Sequence, residues 1–169
     1  MKLRLEQDTD AQSPMENDDC VFLIADHRDC FIPPEKGIRS FDVQTEIDAR
    51  KKTHHVFLLE AYIHSGVVLA LAGEGNFPDR QWDVSLLGAV FVPKSDWRLR
   101  ASARKIALGK VAEWNQYLSG DVWGCIVEDD EGNHLDSCWG FYGREYAEQE
   151  GQSMLAYCQK HSLAEANAI

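Results

Sequence analysis

The segment Val122–Gly143, VWGCIVEDDEGNHLDSCWGFYG, constrains the fold more than any other part of the chain. Two strand-length runs, Val122–Val127 and His134–Phe141, flank an acidic tip from Asp129 to Asn133. Gly132 offers the positive φ that such a tip needs. The segment reads as a β-hairpin, and a hairpin commits its strands to antiparallel pairing. Its charge is one-sided. Residues 121–150 carry nine Asp and Glu against one base, Arg144, whereas residues 94–110 carry six Lys and Arg against one acid, Asp96.

The remaining pattern supplies partners for that hairpin. Val56–Ile63 and Val67–Ala72 flank His64-Ser65-Gly66 and read as a second hairpin. Gly73, Gly75, Pro78 and Asp79 mark a loop, and Leu86–Val92 is a strand stopped at Pro93. Val21–Ala25 is a shorter strand, followed by a Pro33-Pro34 pair that forces an extended path. Residues 41–52 suit a short helix. A long helix starts near Ser95, with Trp97, Ala101, Leu108, Val111, Trp114 and Leu118 on one stripe and Gly120 as its C-cap. Arg100, Lys105 and Lys110 fall off that stripe. A second long helix spans 145–162, with Tyr146, Met154, Tyr157, Cys158 and His161 near one side. The expectation is an α+β fold, an antiparallel β-sheet with two long helices packed on it. Residues 1–20 form an acidic N-terminal arm, irregular or an edge segment. Residues 21–169 form a single α+β domain.

Composition narrows the classes. A hydrophobic fraction of 44% supports a packed core, and a net charge of −11 opposes direct binding to nucleic acid. Five cysteines without a CxxC motif point away from a disulfide framework and from a four-thiolate zinc site. The first residues lack the apolar run of a signal peptide, and no apolar stretch reaches the length of a membrane span. A reducing cytoplasm is the expected compartment. The histidines lack zinc-type spacing and no phosphate-binding glycine motif occurs, so no metal and no cofactor are expected.

Two constellations carry candidate chemistry. Asp79 and Asp83 flank Trp82 after the glycine-rich loop. They suit either a cation and a polarised substrate or the loop's own amides. In Asp136-Ser137-Cys138-Trp139, strand alternation turns Asp136 and Cys138 one way and Ser137 and Trp139 the other. Cys138 is a nucleophile only beside a base such as His27, His64 or His134, and otherwise an inert thiol. The catalytic candidates are therefore His64, Asp79, Asp83, Asp136 and Cys138. The docking candidates are the acids Glu128, Asp129, Asp130 and Glu131, the tryptophan of the Trp123-Gly124 pair, and Trp139. The basic run of Lys94, Arg98, Arg100, Arg104, Lys105 and Lys110 suits a phosphate backbone, an acidic partner, or the acidic hairpin of a second copy in a homodimer.

QDTDAQSPMENDD at 7–19, HSG at 64–66, FPDRQWDVSLLGAVFV at 77–92 and DSCWGFYG at 136–143 resemble a family of small proteins from bacteriophages and mobile elements. The chain departs from that family near 21–32, where only His27-Arg28 matches. The resemblance implies a setting rather than a chemistry: an accessory protein in the host cytoplasm that binds a host protein. Inhibition of a defence system, CRISPR or restriction, is its sharpest form. The alternatives are a small-ligand binder or hydrolase-like enzyme using the His/Asp/Cys set, and an oligomeric structural protein.

Overall fold

A computed structural model describes residues 1–17, 20–78 and 84–166. The class is α+β, built from two antiparallel sheets and, among the described residues, three helices. The chain divides into two compact units, Ser13–Ser119 and Met1–Gln12 with Gly120–Ile169. The expected single sheet is thus corrected to two. Within the expected arm, Lys2–Gln7 forms an edge strand, because the N-terminal residues pair with the final hairpin more than a hundred positions away. Local sequence pattern carries no information on pairing at that separation.

In the larger unit the strands are β2 (Phe22–His27), β3 (Cys30–Ile32), β4 (His54–Ile63), β5 (Val67–Leu71) and β6 (Val84–Pro93). Their order is β3-β2-β6-β4-β5. The expected hairpin at His64–Gly66 forms, closed by the His64 amide donating to the Gly66 carbonyl. Alternation splits each central strand between two cores. Leu23, Ala25, Leu59, Leu69, Val90 and Val92 face the long helix α2 (Arg100–Ser119). Ile24, Ala89 and Phe91 face the short helix α1 (Val43–Arg50), whose N-cap Asp42 accepts from the Thr45 amide and hydroxyl. Helix α2 begins at Arg100 rather than at Ser95, since residues 94–96 form a turn anchored by the Trp97 amide on the Pro93 carbonyl. Its buried stripe is Ala103, Ala107, Lys110, Val111 and Trp114. Ala101, Leu108 and Leu118 of the expected stripe are exposed. Val111 and Trp114 are buried as expected, with Ala103 and Ala107 beside them. Gly120 ends the helix at a φ of 72°.

In the smaller unit β1 (Lys2–Gln7), β7 (Val122–Glu128) and β8 (His134–Tyr142) form a sheet in the order β1-β7-β8. Helix α3 (Arg144–Ala166) covers one face. Ala147 is fully buried there. A Cβ on Gly151 would come within 3.0 Å of Cys125 Cβ and closer still to Leu3, so the helix needs small residues where it crosses. Tyr146, Tyr157 and His161, expected near one side of the helix, are exposed. No helix among the described residues is long and apolar enough to cross a membrane.

Candidate functional site

The hairpin tip is built by Asp129. Its carboxylate accepts from the Glu131 amide at 2.9 Å, the Asn133 amide at 2.8 Å and the Asn133 side-chain amide at 2.8 Å. Those donors, the Asn133 side chain foremost, hold the Asp129 carboxyl below its usual range. Gly132 takes a φ of 90°, as the sequence requires. Asp129 is consumed in making the turn.

The other three tip acids differ in fate. Glu128 points to the sheet face away from α3, where register sets it beside Lys2. Lys2 lies 3.2 Å from it and Arg4 3.3 Å, and the two cations, Lys2 first, depress its carboxyl. Its side chain is only 15% exposed, so Glu128 is neutralised within the unit and leaves the free surface. Asp130 accepts from the terminal ammonium of Met1 yet stays 92% exposed. Glu131 is exposed and makes no ion pair among the described residues.

The two docking tryptophans also part. Trp123 is half-buried, donates from Nε1 to Asp121 at 2.6 Å, and carries the Arg144 guanidinium 5.1 Å above its ring. Trp139 stays 44% exposed. The β7–β8 register is irregular between Trp123 and Cys125, and Trp139 lies flat across Gly124, where a Cβ would come within 2.2 Å of its ring. The bulge re-aims this side chain, and only glycine beneath it leaves room.

The catalytic candidates divide between the two units and the residues outside the described ranges. Asp79 and Asp83, with Trp82, lie outside the described residues. His64 belongs to the larger unit and stacks on Tyr62 at 6.2 Å. Asp136 and Cys138 belong to the smaller unit. They share a face, as expected, opposite Val127 and Cys125. Asp136 accepts from the Ser137 amide at 2.9 Å. Cys138 is an exposed free thiol and Cys125 a buried one, its thiol pushed up by desolvation.

The basic run is largely spent inside the larger unit. Lys94 donates to the Lys51 and Lys52 carbonyls, which end the segment after α1. Arg100 donates to the Val56 carbonyl and lies 4.4 Å over Phe57. Arg104 pairs with Glu74. Lys110, expected off the packed stripe, is buried and 2.6 Å from Glu113. Arg98 and Lys105 make no ion pair among the described residues.

Charge bookkeeping by unit then picks out the smaller one. It holds thirteen Asp and Glu against four Lys and Arg, so it carries nine of the chain's eleven net negative charges. Glu145, Glu148 and Glu150 on the first turns of α3 are exposed and make no ion pair among the described residues. A pocket of about 350 Å³ in the same unit is lined by Met1, Leu135, Asp136, Tyr157, Cys158, His161 and Ser162. The spacing of 157, 158 and 161 put those three on one helix side, but nothing local placed Asp136 opposite them. Comparison with family models, curated proteins and solved structures found no match to this chain.

Proposed function

We propose that this chain acts by binding a protein partner with a basic surface, through the exposed acids and aromatics of its smaller unit. The observation that carries the reading is their coincidence. Asp130, Glu131, Asp136, Glu145, Glu148 and Glu150 are exposed there, alongside Leu135, Trp139, Tyr146 and Tyr157. Like charge of that density raises the encounter rate with a cationic surface, while desolvated aromatics supply most of the affinity. The docking surface is therefore shifted from the hairpin tip alone toward α3, because Glu128 and Asp129 have partners of their own. The resemblance to phage and mobile-element proteins adds the setting. The partner is a host protein in the cytoplasm, and a nucleic-acid-binding complex of a CRISPR or restriction defence is the sharpest choice, since such complexes present basic channels.

The test is affinity capture from host lysate with the wild-type chain and with a variant carrying Glu131→Lys, Glu145→Lys, Glu148→Lys and Glu150→Lys. Circular dichroism confirms that the variant is folded. The expected result is a specific, salt-sensitive partner that the variant loses. Equal capture by the folded variant overturns the reading.

A further inference from the structure

We infer that the pocket between β8 and α3 is a receptor for one arginine side chain of the basic partner. This rests on the docking reading above and names what enters the site.

Four features converge. Asp136 supplies a carboxylate; one oxygen accepts from the Ser137 amide, and the other has no hydrogen-bond partner among the described residues. Tyr157 supplies an aromatic face. The residue is 61% exposed, and its ring is backed by the His161 ring at a centroid distance of 3.9 Å, which leaves the opposite face for a ligand. Leu135 supplies apolar contact. The register pairs Asp136 with Val127 and His134 with Glu128, so Leu135 is the extra residue of a bulge, turned out of the ladder and 43% exposed. The last feature is the field. The pocket lies toward the C-terminal end of α3, the negative end of the helix dipole, in the unit that holds the net negative charge.

The nearby cations do not cancel this. Met1 lines the pocket, but its ammonium is held by Asp130, and Lys160, next to His161 in sequence, is not among the lining residues. A guanidinium suits the set better than an ammonium. It is planar, stacks on a ring and donates along its edge to a carboxylate. The pocket volume of about 350 Å³ sits at the low end of ligand sites, roughly 300–1,000 Å³. That is room enough for a single arginine side chain.

The probe is a short peptide of alternating Arg and Gly, with its Lys counterpart as control, added to the full chain. Cys158 lines the pocket, so its alkylation by iodoacetamide, mapped by mass spectrometry, reports occupancy; the exposed Cys20 of the larger unit is the internal reference. The arginine peptide is expected to slow Cys158 alkylation several-fold and leave Cys20 unchanged. Asp136→Asn and Tyr157→Leu, both at exposed positions, are expected to weaken binding about tenfold each. Equal protection by the lysine peptide overturns the arginine assignment. Unchanged Cys158 labelling with bound peptide, or wild-type affinity in both variants, overturns the pocket while leaving the acidic docking surface standing. That surface fails separately, if the four-Lys variant described above keeps its partner.

Discussion

The larger and smaller units of this chain treat charge in opposite ways. The larger unit holds fifteen acids and thirteen bases, nearly balanced, and spends its bases on its own structure. Lys94 and Arg100 donate to backbone carbonyls, Arg104 pairs with Glu74 and Lys110 with Glu113. The smaller unit holds thirteen acids and four bases, and two of those bases, Lys2 and Arg4, converge on Glu128. Its remaining acids outnumber any cation the unit can supply. A run of like charge in sequence is therefore a poor guide to a binding surface. What counts is whether the fold places an opposite charge or a carbonyl within reach, as it does for four of the six bases in the 94–110 run and does not for Glu145, Glu148 and Glu150 of α3.

The contrast extends to packing, and substitutions can break it. The largest effect is expected in the larger unit. Gly88 sits where β6 passes β2, and a Cβ there would lie 1.8 Å from the Ile24 carbonyl oxygen, a backbone atom that cannot swing aside. Gly88→Ala should cost about 3 kcal/mol or more, as overpacking against fixed atoms does. A clear drop in the urea midpoint checks it, and an unchanged midpoint would refute the close approach.

A smaller effect is expected in the smaller unit. At Gly124 the obstacle is the Trp139 ring, a side chain that can leave. Gly124→Ala should cost about 1–3 kcal/mol and push Trp139 further into water. Its fluorescence is expected to shift to the red, read as the difference from a Trp139→Phe reference. A spectrum identical to wild type would place the ring elsewhere.

The smallest effect concerns pH. Lys2 and Arg4 hold Glu128 below the ordinary carboxylate value, so the stabilisation it brings is present above that value, about 4.3 for an unperturbed Glu. It is lost as pH falls through the depressed folded value. Glu128→Gln should therefore lower the thermal midpoint at neutral pH and match wild type in strong acid, with the gap narrowing at high salt. A gap that persists in acid would show that packing, not charge, makes the difference.

Much of the fold was legible because it is written in short periods. The hairpins at 54–71 and 122–142, the glycine at 132 and the C-cap at Gly120 follow from alternation, turn chemistry and positive φ, all set within a few residues. The strand β3 was not, since three residues hold too little pattern beside Pro33-Pro34. The helix stripes were legible in part. Val111 and Trp114 are buried as expected, whereas Ala103, Ala107, Ala147 and Gly151, whose small side chains carry little hydrophobic signal, were missed. The site was legible in part. The excess of acid was visible, while Glu128's loss to Lys2 depended on a pairing across the whole chain.

By itself the amino-acid sequence determined the element types, most hairpin turns and the net charge, because each depends on neighbours within a turn or a strand. Only tertiary structure decided that the strands form two sheets, that β1 pairs with β7, which acids are paired, and that Asp136 faces Tyr157 and His161 across one pocket. Those outcomes depend on contacts between residues far apart in the chain, whose free energy appears only once the backbone has brought them together.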